Sequence, residues 1–249
     1  MKIILSPTKK MRRDVDFIKP QSLPCFLSRT EDILRFLKSL SPEDLKKLWG
    51  CNDAIAEQNI ERLDKMDLHA NLTPAILAYE GIAFQYMAPG VFTEQALQYV
   101  QDHLRILSGF YGVLKPLDGV RAYRLEMQAK ARISGHKDLY SFWGQDLYDQ
   151  VRDESGIILN LASREYSRCI EDYLKPEDRM ITCEFLESVG GKLRQKATFA
   201  KMARGEMVRF LAENQAPEPQ AMQDFSGLGY HFRPDLSTDT RYIFERIPD

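Results

Sequence analysis

Histidine, cysteine and tryptophan are scarce in this chain of 249 residues, which holds four, four and two of them. The cysteines are dispersed at Cys25, Cys51, Cys169 and Cys183, without the spacing of a zinc site, and the histidines are equally scattered. Reduced thiols in an intracellular protein are the simplest interpretation. The composition therefore predicts neither a bound metal ion nor a cofactor.

The sequence also lacks an uncharged apolar run long enough to cross a membrane, and residues 1–6 are too short for a secretion signal. Apolar residues make up 44% of the chain and charged residues 28%, which is typical of a globular protein. We therefore expect a cytoplasmic protein with no membrane partner, folded as a single domain over residues 1–249.

Positive charge is concentrated in two segments, although the formal net charge of the chain is −2. Residues 103–137 carry seven lysines and arginines against two acids, and residues 192–209 carry six against one. The rest of the chain must then be strongly acidic. Such segregation is typical of a local anion-binding surface, although two solvated basic faces would give the same count.

The apolar periodicity predicts a mixed α/β fold (α+β), with a central mixed sheet and surrounding helices. Strands are expected at 3–5, 157–161 and 241–247, and a hairpin at 180–186 and 192–199. Helices are expected at 31–40, from Ser41 and Pro42 onward, at 73–79, at 92–107 and at 201–214.

Two of the predicted strands are followed directly by small polar residues. Ser6 and Lys9 follow the first strand, while Asn160 and Ser163 follow the strand near residue 157. If the strands are parallel neighbours, these ends meet where α/β proteins usually bind ligands. Lys9 would then be a cation at the mouth of a cleft, with Asn160 and Ser163 as hydrogen-bond partners. Alternatively, these residues only terminate the strands.

A glycine-containing turn follows the helix predicted over 92–107 and suggests a helix–hairpin–helix element. Such a turn can present backbone N–H groups to phosphate. Two residues separate Gly109 from Gly112, and Pro116 follows closely, so an ordinary helix end with a turn remains an alternative. The candidate contacts to an anion are Ser108, Gly109, Tyr111, Gly112 and Lys115.

Arg124 and Glu126 lie two residues apart, so on a strand both side chains would point to one face. Arg124 could bind a phosphate, and Glu126 could orient it or act as an acid or base. Lys137 follows as a further cation. The nearby aromatic residues could stack on bases or fill the core; they are Tyr140, Phe142 and Trp143.

The helix predicted over 201–214 carries a basic face. Lys201, Arg204 and Arg209 have a spacing that brings them together on one side of a helix. A solvated surface is the ordinary interpretation of such a face, but here it adds to the first basic segment.

Many of these segments resemble the YaaA peroxide stress resistance family, in the family's order and over nearly the whole chain. The matching segments are residues 6–9, 104–118, 123–127, 137–144, 160–163, 165–166, 203–205 and 225–230. The family is linked to survival of hydrogen peroxide by limiting intracellular iron and DNA damage. The resemblance implies DNA binding through a positively charged cleft and a helix–hairpin–helix element formed by 108–112. The implied cleft cations are Lys9, Arg124, Lys137, Lys201 and Arg204.

The chain departs from the family pattern at three positions. Ile82 and Tyr86 stand where relatives tend to carry an acid and a glycine, and Gln145 stands where an aspartate is usual. Loss of two acids with retention of the basic residues favours binding over catalysis.

The leading hypothesis is a protein that binds duplex or distorted DNA without sequence specificity, with strong salt dependence. The alternative is an enzyme acting on a nucleotide or damaged base, with Glu126 or Glu165 as general acid or base. A third possibility is an iron-binding protein with carboxylate ligands.

Overall fold

An eight-stranded mixed sheet forms the centre of the computed structural model, which describes residues 1–12 and 18–247. The strands, in chain order, are β1 Lys2–Leu5, β2 Thr73–Pro74, β3 Leu104–Ser108, β4 Gly112–Leu114, β5 Gly119–Val120, β6 Ile157–Asn160, β7 Arg179–Val189, β8 Lys192–Arg194, β9 Tyr230–Phe232 and β10 Arg241–Arg246. The helices are α1 Leu27–Lys38, α2 Pro42–Trp49, α3 Asp53–Asp64, α4 Ala75–Ala78, α5 Ile82–Met87, α6 Glu94–His103, α7 Leu139–Trp143, α8 Asp146–Val151, α9 Arg164–Glu171 and α10 Ala197–Glu213. The predicted mixed α/β fold is confirmed.

The strand order in the main sheet is β4-β3-β1-β6-β7-β10-β9, with β8 paired to β7. Strands β3, β1, β6, β7 and β10 are parallel neighbours, and β4, β8 and β9 pair antiparallel. β1 lies inside the sheet, and its residues Ile3, Ile4 and Leu5 are almost fully buried. An almost continuous apolar run is what a parallel strand covered on both faces requires.

The chain leaves β1 and β6 in opposite directions across the sheet. From β1 it leads through several helices to β3 on one side, whereas from β6 it passes through α9 to β7 on the other. Neighbouring parallel strands with diverging connections leave a crevice between their carboxyl ends. The predicted meeting of these two strand ends is confirmed, because Ile3 pairs with Leu159 and Ile4 with Asn160.

Helix α10 passes very close to α5 beside this crevice. A Cβ atom on Gly205 would lie 1.8 Å from the carbonyl oxygen of Ala83. Glycine at position 205 is therefore what lets the two backbones approach. The contact holds the neighbouring Arg204 beside α5, at the edge of the crevice.

The prediction of a helix–hairpin–helix element at 108–112 is wrong, because strands flank this turn on both sides. α6 ends at His103, and the apolar run that follows forms β3, which pairs with β1 and with β4. Residues 109–111 therefore connect two antiparallel strands. All five residues of β3 are buried, so its apolar side chains lack the two-residue alternation of a half-exposed strand and resemble a continuing helical stripe.

Two smaller predictions also fail at the ends of elements. Thr73 and Pro74 form a short strand paired with β5, so the helix expected over 73–79 is reduced to α4. The second strand of the hairpin ends at Arg194, and α10 begins at Ala197. The other predicted strands and helices are present, with shifted ends. In the part of the chain that the structure describes, no helix has the length and apolar character needed to span a membrane.

Candidate functional site

A cavity of about 420 Å³ opens at the carboxyl ends of β1 and β6. Its walls are the segments that follow these strands, residues 123–126, the start of α5 and the start of α10. Ser6 and Ser163 join the two strand ends: their Oγ atoms are 3.1 Å apart, and the Ser163 N–H donates to Ser6 Oγ at 2.8 Å. The cavity is thus part of the sheet's own architecture.

Basic side chains predominate in the cavity. Among the described residues, five line it, namely Lys9, Lys10, Arg124, Lys201 and Arg204. Three acidic side chains of the same described set, Glu80, Glu126 and Glu165, face this space, which leaves a formal excess of positive charge. The predicted grouping of Lys9, Arg124, Lys201 and Arg204 is therefore observed, although these residues come from three distant parts of the sequence.

Arg204 is a partly buried cation that is not compensated by any described residue. Its Nε is buried and has no hydrogen-bond partner among the described residues, and no carboxylate is paired with its guanidinium there. Burial lowers the pKa of Arg204, with only the Cys183 thiol acting in the opposite direction. A half-buried guanidinium without an acceptor is costly, because it has lost part of its hydration. An anion that enters the cavity would remove that cost.

Arg124 is compensated only in part. One terminal nitrogen lies 3.3 Å from a Glu126 carboxylate oxygen, but its buried Nε also has no partner within the described chain. The other oxygen of Glu126 lies 2.8 Å from Lys9 Nζ. Glu126 thus links two cations, as a positioning carboxylate would. The residues do not lie on a strand, yet both face the cavity as the two-residue spacing predicts.

Glu165 is a second carboxylate in the cavity, and its pKa is raised. Burial raises the pKa of Glu165, the Gln128 N–H lowers it and the charge on Glu126 raises it again. A Glu165 oxygen accepts from the Gln128 N–H at 3.2 Å. Within residues 1–12 and 18–247, no three His, Cys, Asp or Glu side chains are grouped as metal ligands.

Tyr123 lines the cavity and is held by a buried chain of hydroxyl groups. Ser108 Oγ accepts N–H bonds from Phe110 and Tyr111 and lies 2.6 Å from the Tyr123 hydroxyl. The Tyr79 hydroxyl lies 2.9 Å from the Tyr123 oxygen and is also hydrogen-bonded to Ser108. The three hydroxyl groups thus form one buried cluster at the cavity wall. Burial raises the pKa of Tyr123 to about 12, so its hydroxyl stays protonated.

The glycine turn lies beneath the cavity and is buried. Ser108 Oγ takes the N–H groups of Phe110 and Tyr111, so neither is free for phosphate. The Gly109 carbonyl accepts from Trp143 Nε1 at 3.1 Å, and a Cβ on Gly109 would lie 2.7 Å from the Leu125 carbonyl oxygen. These contacts place Ser108, Gly109 and Tyr111 against residues 123–126, while Gly112 packs against Phe26, Trp143 and Leu147. Lys115 directly follows β4 and does not line the cavity.

The remaining predicted residues also lie outside the cavity. Asn160 is buried at the end of β6, where it donates to Thr182 Oγ1 and accepts from the Ala162 N–H. Lys137 is exposed on the loop before α7. Arg209 lines a different depression and bonds Glu213 at 2.8 Å.

The three aromatic residues 140, 142 and 143 belong to the packed interior more than to a stacking surface. Phe142 is 4% exposed and Trp143 is 1% exposed. Tyr140 is half-buried and donates to the Glu165 carbonyl at 2.9 Å. Phe142 and Trp143 therefore fill the core, which was one of the two interpretations of their sequence. Tyr140 instead holds the backbone at Glu165, in the cavity wall.

Two of the three departures from the family pattern lie away from the cavity. Ile82 lines it, so an acid at this position would add a carboxylate to a mainly basic site. Tyr86 faces the depression that contains Arg209, and Gln145 bonds Asp149 on α8. Only the Ile82 departure therefore changes the charge of the cavity.

Sequence reasoning missed Lys10, Glu80 and Tyr123. Lys10 and Glu80 both line the cavity and pair with each other at 3.0 Å. The sequence signal for Lys10 was its position next to Lys9, just after a strand. Tyr123 stands beside Arg124, but nothing in the sequence shows that its hydroxyl meets Ser108 and Tyr79.

The comparisons with known proteins agree on one family. A family model described as "Peroxide stress protein YaaA" matches residues 1–236. A UPF0246 protein of Agathobacter rectalis is 60% identical over 246 residues, 99% of each chain. A UPF0246 protein of Lachnoclostridium phytofermentans is 51% identical over 244 residues, 98% of this chain and 96% of the relative. One from Limosilactobacillus reuteri is 50% identical over 248 residues, 99% of this chain and all of the relative. The chain belongs to the YaaA peroxide stress protein family.

Proposed function

We propose that this member of the peroxide stress family binds DNA through the basic cavity and so limits iron-dependent oxidative damage. The observation that supports it is Arg204, a guanidinium that faces the cavity with a buried Nε and no partner in the described residues. Arginine is well suited to phosphate, because its planar donor fork matches two oxygens at once. Arg124, Lys201 and Lys9 supply further positive charge around the same space.

The shape of the cavity favours distorted or single-stranded DNA over an undisturbed duplex. Its volume of about 420 Å³ accommodates a small group, whereas a duplex is too wide to enter. A nucleotide that has left the base stack can place its phosphate against Arg204 inside the cavity. DNA that already contains a bubble or lesion loses less stacking energy when it does so. The binding would depend little on sequence, because phosphate carries no base information.

The test is fluorescence anisotropy with labelled single-stranded, duplex and bubble DNA. We expect Arg204→Gln to lower the affinity at least about tenfold, the value of one charge-assisted hydrogen bond. Arg209→Gln is the matched control, because Arg209 lies on the same helix but pairs with Glu213 outside the cavity. Absence of binding by the unmodified protein at low salt, or equal affinities of the two variants, would refute the proposal.

A second candidate function is an enzyme acting on a nucleotide or a damaged base. It is favoured by Glu165, whose raised pKa and position in the cavity with Glu126 give the site one carboxyl that holds its proton more readily. Incubation with oligonucleotides that carry oxidised bases should then release a product, and Glu165→Gln should abolish the release. A lack of turnover across a panel of lesions would contradict the enzyme function and leave DNA binding as the remaining candidate.

A further inference from the structure

A second groove, of about 850 Å³, adjoins the cavity on the side of α1 and α2. Lys9 and Glu126 line both spaces, so their ion pair forms the boundary between the two. We call it the Trp49 groove; the residues that define it are Phe36, Leu40, Lys47, Leu48, Trp49 and Lys130. A ligand that occupies the cavity can therefore extend past Lys9 into this groove.

Trp49 has an unused hydrogen-bond donor. The side chain is 5% exposed, and its buried Nε1 has no acceptor within the described chain. The other tryptophan differs, since Trp143 Nε1 donates to the Gly109 carbonyl. Buried tryptophan N–H groups usually find a partner, so the exception at Trp49 points to an acceptor beyond the described residues, such as a bound ligand.

The rest of the groove combines apolar surface with charged side chains. Phe36, Leu40 and Leu48 are half-buried and pack against the core, which leaves apolar faces in the groove. Lys47 and Lys130 are exposed at its sides. Lys9, Asp44 and Glu126 also line it, so three cations face two acids among the described residues. The groove thus combines an apolar wall, charged side chains and a tryptophan whose buried N–H is unpaired in the described chain. These are the partners of a nucleobase with a carbonyl or ring-nitrogen acceptor and of the phosphate attached to it.

We propose that the Trp49 groove binds the base of the nucleotide next to the one whose phosphate enters the cavity. The ligand is then an oligonucleotide of at least two nucleotides, and Lys9 meets the phosphate that connects them. This inference rests on the proposed DNA-binding function and adds to it a minimum ligand length and a base-binding site.

The test uses tryptophan emission together with affinity. The protein is titrated with thymidine 5′-monophosphate and with 5′-phosphorylated thymidine oligonucleotides of two and four residues. We expect the dinucleotide and longer ligands to quench Trp49 emission, whereas the mononucleotide does not. The dinucleotide should also bind at least about fivefold more tightly, as stacking of one base provides.

The matched variants separate the groove from the cavity. Trp49→Phe keeps an aromatic ring but removes the donor, and Trp143 emission remains as an internal reference. It should keep the affinity for the mononucleotide and lose most of the gain from the second nucleotide. Lys47→Gln with Lys130→Gln changes only exposed side chains and should reduce the same gain.

Two results would overturn the inference in different ways. If all ligands bind with equal affinity and leave Trp49 emission unchanged, the groove is not a base site, while DNA binding through the cavity stands. If neither the thymidine ligands nor single-stranded, duplex or bubble DNA binds the unmodified protein, the proposed function fails as well. The inference would also be contradicted if both groove variants kept the full gain in affinity from the mononucleotide to the dinucleotide.

Discussion

Glu165 holds its proton more readily in the folded protein than an exposed carboxyl does. Burial is the main cause of the raised pKa, and the charge on Glu126 adds to it against the effects of the Gln128 N–H and Lys9. In the unfolded chain this carboxyl has the ordinary glutamate pKa of 4.5. Just above that pH the folded state therefore still binds a proton that the unfolded chain has released. Because the folded state then holds more protons, this carboxyl makes stability fall as the pH rises above that value.

Replacement of Glu165 by glutamine should remove that contribution. The free energy of unfolding of the unmodified protein should fall, relative to the Glu165→Gln variant, between pH 4.5 and pH 7.5. Each unit of pKa shift corresponds to about 1.4 kcal/mol at most, and solvent screening of the half-buried carboxyl reduces this figure. Urea unfolding of both proteins at the two pH values measures the difference. Parallel pH dependence of the two proteins would show that Glu165 titrates normally.

Tyr123 is the central member of the buried hydroxyl cluster, because its oxygen contacts both the Ser108 and the Tyr79 hydroxyl groups. Tyr123→Phe removes both of these hydrogen bonds and should lower the free energy of unfolding by about 1–3 kcal/mol. In Tyr79→Phe the hydrogen bond between Ser108 and Tyr123 remains, so its cost should be smaller. Urea unfolding compares the two stabilities, and anisotropy should show weaker DNA binding only for Tyr123→Phe, because Tyr123 lines the cavity. Equal effects of the two variants would contradict the central position of Tyr123 in the cluster.

The crossing of α10 and α5 fixes the wall of the cavity at the level of whole elements. Gly205→Ala would place a methyl group 1.8 Å from the Ala83 carbonyl oxygen, and backbone cannot rotate away as a side chain can. We expect a loss of about 1–3 kcal/mol in the free energy of unfolding and weaker DNA binding, because Ile82, Ala83 and Arg204 line the cavity. Chemical unfolding and anisotropy on the same sample measure both effects.

Gly50→Asn is the control for that substitution. Gly50 ends α2 in the left-handed conformation with φ of +54°, and a Cβ atom added to it would meet no other atom within 4 Å. Asparagine tolerates that conformation, so the variant should be much less destabilised. A Gly205→Ala protein as stable as Gly50→Asn would show that the helices can separate freely.

The elements that the sequence predicts well are those with a local cause. Ser41 caps α2 through the Asp44 N–H, and Pro42 occupies its first turn, as the sequence pattern indicates. β1 and β6 end at small polar residues, so their shared edge is predictable on the condition that they are parallel neighbours. β3 is not predictable in this way. Its apolar residues fit a helical stripe, and only pairing with β1 and β4 selects the strand.

The sequence predicted most of the cations of the candidate site, but it did not predict the side chains that contact them or lie beside them. Lys9, Arg124, Lys201 and Arg204 could be grouped from the strand ends and the family resemblance, and they line one cavity. Helical spacing placed Arg209 with them, but packing directs it to Glu213 instead. The hydroxyl contacts of Tyr123 and the unpaired donor of Trp49 depend on the packing of distant segments, which periodicity does not encode.

At the scale of the whole molecule, positive charge available to DNA is limited. The chain has a formal net charge of −2, so a duplex lying across the surface would meet many acids. Inside the cavity, Glu126 and Glu80 already engage Lys9, Lys10 and Arg124. Lys201 and Arg204 are the cavity cations without an ion-pair partner in the described chain. The number of phosphates bound is therefore set by the cavity more than by the overall charge.

This arrangement determines the salt dependence of DNA binding. About two or three phosphates can contact the cavity cations, so a plot of log affinity against log salt should have a slope of about −2 to −3. A protein that covers a long duplex with six to ten phosphate contacts would give a slope of about −5 to −9. Anisotropy titrations between low and physiological salt measure the slope, and Lys201→Gln should make it shallower by about one. A slope steeper than about −5, unchanged in Lys201→Gln, would mean that DNA binds an extended surface outside the cavity.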